Sequence, residues 1–297
     1  MSGLSDPLAL CLEGRLSPEV ALARLMLGGA SPEEAARAVE ARRDPGNPRW
    51  QRLEALVLSR REALEEMAAM LREAGVDHEA SGASPDAAVA GIAALFDRAV
   101  ARAPEASVAA YSLGDPAILS AATGEIVEWL RARGLVGPGR DVLDLGCGIG
   151  RVSAALAPLC SSVLGLDVSP AMVAEAARRH GALPGLRFAT TAGTGLDGLP
   201  DAGFDLVLAV DSFPYLVQAG GDLAERHLRD AARILRPGGA FAILNLSYRG
   251  NPALDRADAA RWAAAGGWRL EVTGEAPFAL WDGAAFLLRR FRSVSPT

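Results

Sequence analysis

The chain of 297 residues has only three cysteines, Cys11, Cys147 and Cys160, and no two of them stand in a C-x-x-C spacing. Neither a zinc site nor a disulfide framework is indicated, and a reducing compartment is expected. Histidine is equally scarce, with three in the whole chain, and its spacing to cysteines and acids suggests no metal cluster. No stretch approaches the roughly 18 apolar residues of a membrane span. The opening MSGLSDPLALCLEGRLSPE lacks a basic start followed by a long apolar run, so no secretory signal is expected and the location is expected to be cytoplasmic. No block of basic residues stands out, and the formal net charge is −6. An acidic chain without a basic stripe fits a nucleic-acid backbone poorly. Membrane and nucleic acid are therefore both set aside as partners.

What the chain does have is apolar content. Hydrophobic residues make up 50% of it, enough for a sizeable core, and the length suits two modest domains. The first hundred residues are rich in Ala, Leu, Glu and Arg and read as helical. Ser17-Pro18, Ser31-Pro32 and Ser84-Pro85 each set a capping hydroxyl before a proline suited to the first helical position. Ser31 with Glu34 fits a capping box. Gly28-Gly29 and Gly75 are expected to end helices. Residues 50–74 form the longest helical candidate, with Leu53, Leu56, Val57, Leu64, Met67 and Leu71 near helical spacing. DPGNP at 44–48 reads as a turn. The helix-loop-helix at 18–42 is a poor DNA reader, because Glu33, Glu34 and Glu40 share the would-be recognition helix. Residues 1–105 are thus assigned to an all-α N-terminal domain, a cap, lid or dimerisation bundle through which a homodimer could form. Met26, Met67 and Met70 are read as its core filler.

From Asp115 the pattern changes. A helix capped by Asp115, with Pro116 in its first turn and a stop at Gly134, leads into alternating strands and helices. Strands are predicted at 141–145, 162–166, 186–190, 204–210 and 239–246. Helices are predicted at about 150–159, 170–180, 222–235 and 255–265, with two late strands at 268–273 and 284–290. That alternation implies an α/β fold, a doubly wound parallel sheet covered on both faces.

The segment VLDLGCGIGR, residues 142–151, runs from a β-prone stretch through glycines at 146, 148 and 150. Glycines at the end of a strand permit a tight turn and let a ligand lie against the main chain. A helix starting near Ile149 would aim its first N–H groups at that ligand. Two ligand classes use such turns. The dinucleotide fingerprint GxGxxG fails because its third glycine would be Arg151. The acid-plus-GxGxG loop that binds S-adenosylmethionine (SAM) fits Asp144, Gly146, Gly148 and Gly150 without adjustment. The next strand ends in Asp167, twenty-one residues after Gly146, where a carboxylate can accept both hydroxyls of a ribose. Its other reading is a helix N-cap, a role Ser169 already offers. Val168 could pack on an adenine face.

At this point the chain resembles the class I SAM-dependent methyltransferases. VLDLGCGIGR and LGLDVSPAMV look like the first two motifs of that family. FDLVLAVDSFPYLV (204–217) looks like its fourth strand and following loop. ARILRPGGAFAILNLSY (232–248) is similar to its next helix, tight turn at Pro237-Gly238-Gly239 and fifth strand. The resemblance covers about residues 110 to 297 and implies a seven-stranded sheet whose last strand is antiparallel, with residues 106–297 as a SAM-binding methyltransferase domain. It departs from the family after the third strand. Many members carry an adenine-binding acid there, whereas ATTAGTGLDGLPD (189–201) has none near Ala192 to Thr194. Gly193 and Thr194 are the substitutes. The candidate cofactor contacts are thus Tyr111, Asp144, Gly146, Cys147, Gly148, Gly150, Asp167, Val168, Met172, Gly193, Thr194 and Asp211.

The resemblance also implies that the loop after the fourth strand, Asp211-Ser212-Phe213-Pro214-Tyr215, lies beside the transferred methyl. It resembles the DPPY loop of enzymes that methylate planar amino nitrogens. It is one residue longer and lacks the first proline, so that activity is not carried over. Asp211 could orient the cofactor or take a proton. Tyr215 either lines the methyl site or packs under the loop. Tyr111 either closes over the cofactor or packs at a domain junction. His227 is the remaining candidate base, on what reads as a surface helix; His180, at a helix end, and His78, in a loop, are read as structural or solvated. The leading expectation is methyl transfer from SAM to a small molecule by direct in-line displacement, leaving S-adenosylhomocysteine and catalysed mainly by positioning. The alternatives are a protein or RNA methyltransferase that docks through the helical domain, and a SAM-binding module without catalysis. The acceptor atom, pathway and oligomeric state are not legible.

Overall fold

The computed structural model describes residues 6–74 and 84–291. Gly75 and His78 lie outside the described residues. Among those described, the chain forms two compact units. One holds residues 6–74, 95–125 and 278–282; the other holds 84–94, 126–277 and 283–291. The chain crosses between the units inside two helices, at 94/95 and 125/126, and again at 277/278 and 282/283.

The first unit is helical: α1 (Pro7–Leu12), α2 (Pro18–Leu27), α3 (Pro32–Glu40), α4 (Pro48–Ser59), α5 (Arg61–Ala74), the second half of α6 (Pro85–Arg102), α7 (Pro104–Val108) and the first part of α8 (Pro116–Ala132). Its starts follow the sequence signals. Ser17 Oγ accepts from Val20 N, and Ser31 with Glu34 forms the full capping box. Asp115 Oδ1 accepts from Ala117 N at 2.8 Å. The predicted single helix over 50–74 is in fact two. It breaks at Arg60, which leaves helical geometry (φ −117°, ψ 21°) and pairs with the buried Asp115. Leu53, Leu56, Leu64 and Met67 are all buried, as their spacing requires.

The second unit is built on β1 (Asp141–Leu145), α9 (Arg151–Leu156), β2 (Ser162–Asp167), α10 (Pro170–His180), β3 (Leu186–Thr190), β4 (Phe204–Val210), α11 (Phe213–Ala219), α12 (Leu223–Ile234), β5 (Leu235–Leu244), α13 (Pro252–Gly266), β6 (Trp268–Glu275) and β7 (Ala285–Arg290). The sheet order is β3-β2-β1-β4-β5-β7-β6. β7 runs antiparallel to both neighbours, and every other pair that the sheet contains is parallel. The strand order reverses between β1 and β4, so the crevice beyond their carboxyl ends is where an open α/β sheet takes its ligand.

Two local readings change. The Pro237-Gly238-Gly239 turn lies within β5: pairing steps from Phe204↔Leu235 to Leu206↔Ala240, and the extra residues bulge out with Gly238 at φ 82°. A seven-residue helix not anticipated from the sequence, α11, follows β4. Its Phe213 is fully buried, edge-on to Phe241 (5.8 Å) and Trp262 (5.9 Å). That packing fixes the start of the loop expected to do chemistry.

Candidate active site

The glycine turn after β1 is left-handed at all three positions: φ is 75° at Gly146, 54° at Gly148 and 77° at Gly150. Residues with a side chain pay roughly 1–2 kcal/mol for that conformation. Gly146 N and Cys147 N both donate to Leu166 O, at 2.7 and 2.9 Å. Gly148 N donates to Asp167 Oδ2 at 2.8 Å, and Ser169 N donates to Asp167 Oδ1 at 2.9 Å. The turn and the acid at the end of β2 are therefore one hydrogen-bonded unit at the carboxyl edge of the sheet.

The bareness of the turn was expected to serve a ligand. At two positions it serves the protein. A Cβ at residue 146 would lie 2.2 Å from Ser212 Cβ, and one at residue 150 would lie 2.6 Å from the Phe188 ring. Ser212, in the loop after β4, also donates to Leu145 O at 2.5 Å. Gly146 is thus the point where the β1 and β4 loops touch. Cys147 is buried, its thiol close enough to Gly165 that a Cβ there would meet Sγ at 2.9 Å; burial raises the thiol pKa.

Asp144 is 1% exposed and accepts from Ser153 Oγ of α9 at 2.5 Å. Burial pushes its carboxyl up to about 6 against the opposing Ser153 hydrogen bond, and the charge of Asp167 adds to the rise. Met172, on α10, is buried and its N–H donates to Ser169 Oγ. Val168 meets Gly193: a Cβ there would lie 2.5 Å from Val168 Cγ1 and 2.8 Å from Val89 Cγ1. Val89 belongs to the first turns of α6, so that segment reaches the β2 and β3 loops. Thr194 O accepts from Arg226.

The β4 loop starts at Asp211, whose φ of 57° is unusual for a residue with a side chain. Asn245, just past β5, shares that strain at φ 73°. Such outliers persist where surrounding contacts over-determine them, and they concentrate at functional sites. Here the contacts are explicit. Asp211 Oδ1 accepts from Asn245 Nδ2 at 2.7 Å and from Tyr248 Oη at 3.0 Å. Tyr248 packs edge-on to Tyr215, with ring centroids 5.4 Å apart. Burial of their hydroxyls, then the Asp211 carboxylate, push both phenols above their ordinary pKa. Both stay protonated at neutral pH, and Tyr248 donates to Asp211. Tyr248 nonetheless keeps 41% of its surface exposed.

The histidine reading is corrected. His227 is 1% exposed, because Leu223, Ala224, His227, Leu228 and Ala231 form the buried stripe of α12. Its Nδ1 lies 2.9 Å from Leu223 O, so that nitrogen carries the proton, and Nε2 is buried with no hydrogen-bond partner among the described residues. Burial lowers its pKa. Tyr111 lies in the helical unit, buried and stacked on Trp281 at 6.0 Å. Among the described residues no three His, Cys, Asp or Glu side chains group to hold a metal, and no helix is long and apolar enough to cross a membrane.

Ser212, Asn245, Tyr248 and Val89 were given no role on sequence grounds. Asn245 and Tyr248 sit inside the quoted β5 motif, the first within the last residues of the strand predicted over 239–246 and the second two residues past it. Val89 carried none.

A mostly parallel sheet with an antiparallel β7, a glycine turn after β1 and an acid closing β2 is a Rossmann-like methyltransferase fold. Residues 143–243 match the family described as "Methyltransferase domain". The chain is 32% identical over 110 residues to a demethylmenaquinone methyltransferase of Tropheryma whipplei, covering 37% of this chain and 43% of that one. It is 34% identical over 161 residues to a trans-aconitate 2-methyltransferase of Methylobacterium nodulans, covering 51% and 58%. The chain therefore spans under two thirds of the length of these relatives. Phosphoethanolamine N-methyltransferase 1 of Haemonchus contortus, solved with phosphoethanolamine and S-adenosylhomocysteine, superposes with a TM-score of 0.55 at 18% identity over 72% of this chain and 51% of that one. That likeness is one of fold.

Proposed function

We propose that the protein transfers a methyl group from SAM to a small-molecule acceptor by direct in-line displacement. The observation that carries this reading is the Gly148–Asp167 hydrogen bond, which unites the glycine turn and the β2 acid at the sheet's switch point. The residues present suit the adenosyl ligand. Asp167, at the carboxyl end of β2 and tied to the glycine turn, is placed to accept from ribose hydroxyls. Val168, with Val89 beyond Gly193, offers an apolar wall to a base. Asp144 and Asp167 place two acids at the turn, which favours a ligand bearing a sulfonium and an ammonium.

Bound there, SAM supplies a methyl group already activated on sulfur. The chain's task is to orient the acceptor and exclude water, which is worth roughly 7–11 kcal/mol when geometry is productive. Asp211 is the group that receives or orients the acceptor's proton, at a carboxylate held by Asn245 and Tyr248. Tyr248, kept protonated, donates to Asp211, and Tyr215 packs edge-on against it beside the proposed methyl site. His227 takes no part, being sealed in the helix stripe.

Calorimetry with S-adenosylhomocysteine and with NAD tests the ligand class; binding of NAD alone refutes it. Transfer of labelled methyl from SAM into a small-molecule extract tests the reaction. Asp211→Asn is expected to keep S-adenosylhomocysteine affinity and lose transfer. Label appearing only in protein or RNA would move the reading to a macromolecular acceptor.

A further inference from the structure

At the edge of the sheet formed by β6 and β7, beside the bulge of β5, lies a cavity of about 450 Å³ lined by Gly238, Arg269, Glu271, Arg289, Arg290 and Phe291. It lies by the start of β5, whereas the glycine turn and Asp211 sit at the carboxyl ends of the strands. Three guanidinium groups face it with one carboxylate, an excess of positive charge in a chain whose net charge is negative.

Local structure accounts for part of this. The β5 bulge leaves carbonyls outside the ladder, and two arginines satisfy them: Arg289 Nη1 donates to Gly238 O at 3.3 Å, and Arg290 Nη1 donates to Leu235 O. Arg269 is different. It stands in register with Arg289 across the β6–β7 pair. Like charges placed directly opposite on antiparallel strands are destabilising. Glu271 bridges the pair, accepting from Arg289 Nε at 3.1 Å and Nη2 at 2.9 Å and from Arg269 Nη2. Glu271 thus accepts three bonds from the two arginines, while Arg269 keeps 64% of its side chain exposed. Arg289 and Arg290 are thus held in place by their bonds to Glu271 and to the bulge carbonyls, and with the more exposed Arg269 they put three guanidinium groups against one carboxylate around the cavity, with Phe291 at its mouth.

We infer that this cavity binds an oxyanion of at least two negative charges, a phosphate or carboxylate group of a small molecule, at a site separate from the proposed methyl-transfer centre. The bound anion offsets the Arg269–Arg289 repulsion that Glu271 only half cancels.

The full chain is titrated with inorganic pyrophosphate, and separately with citrate, by calorimetry and thermal unfolding at ionic strength held constant with sodium chloride. Saturable binding of either anion is expected, and the tighter one assigns the source as phosphate or polycarboxylate. Arg269→Gln is expected to weaken it about ten-fold or more, the value of one charge-assisted hydrogen bond. Glu271→Gln removes the competing carboxylate and is expected to tighten it several-fold. S-adenosylhomocysteine affinity is expected to stay unchanged in Arg269→Gln. No saturable binding beyond the sodium chloride control overturns the inference. So does binding that neither substitution alters by more than about two-fold, the mark of diffuse screening rather than a site.

Discussion

Asp144 gives the sharpest test of the site's electrostatics. Its carboxyl is buried and raised from 3.8 to about 6. At about 1.4 kcal/mol per pKa unit, holding it ionised in the folded protein costs about 3 kcal/mol at neutral pH. The sign follows from linkage. The folded state keeps the proton longer than the unfolded state. Between pH of about 4 and about 6 the native protein therefore binds more protons, and stability falls as pH rises through that window. Asp144→Asn removes this fall. The amide oxygen can still accept from Ser153, but its NH₂ enters a buried place and can cost about 1–3 kcal/mol if unpaired. That cost does not depend on pH, so absolute stability decides nothing and the slope decides everything. Urea unfolding of both proteins at steps from about pH 4 to about pH 8 is the assay. The variant minus wild-type stability is expected to climb by about 3 kcal/mol across the window. A difference that stays flat would show that Asp144 is not buried as an ionised acid, and the argument for a cation-seeking turn would lose its basis.

Asp167→Ala is expected to weaken S-adenosylhomocysteine binding by about 1.5–3 kcal/mol in calorimetry, the range for a hydrogen bond to a charged group; unchanged affinity rejects the ribose assignment. Gly146→Ala is expected to destabilise the fold by more than the roughly 1–2 kcal/mol of left-handed strain, because Ser212 Cβ stands 2.2 Å from the new Cβ; measured in a Ser212→Gly background, which itself lacks the Ser212–Leu145 hydrogen bond, the same substitution should cost only the strain, as read by thermal unfolding. His227→Leu removes a buried nitrogen with no partner among the described residues and is expected to retain full methyl transfer; it should also lessen the loss of stability as pH falls below the ordinary histidine value of 6.5, since the unfolded chain takes up that proton before the folded one does. Loss of transfer in that variant would restore His227 as the base. Tyr248→Phe is expected to leave S-adenosylhomocysteine affinity intact and lower turnover, with a changed pH profile if Asp211 is the proton acceptor.

The sheet was legible because its signals are local. Val142–Leu145, Leu186–Thr190 and Phe204–Val210 are short apolar runs bounded by turn residues, and all become strands. The capping box at Ser31 and Glu34 is likewise written within four residues. What was missed depends on partners far along the chain. The break at Arg60 accompanies an ion pair with Asp115. The burial of His227 depends on which face of α12 meets the sheet, and a histidine on an apolar stripe looks the same as one on a wet face until that face is chosen. The Pro237-Gly238-Gly239 turn became a bulge because β4 goes on pairing on either side of it, which no short window shows.

The same distinction bears on the glycines. A motif reads as a ligand cradle because glycine allows close approach, but close approach has no stated partner. Ser212 and Phe188 take that place at residues 146 and 150, so those two glycines lock the β1 turn against the β4 loop and against β3. Gly148 is the position whose N–H reaches Asp167. The turn therefore has two functions in one short run: its outer glycines set where the loop lies, and the middle one ties it to the acid. If so, Gly146 and Gly150 substitutions should first lower melting temperature. Gly148→Ala keeps the N–H that ties the turn to Asp167 but adds a Cβ to the turn, and should lower S-adenosylhomocysteine affinity through that Cβ at a melting temperature shifted only by left-handed strain. An affinity loss at all three positions in proportion to their loss of stability would contradict that division.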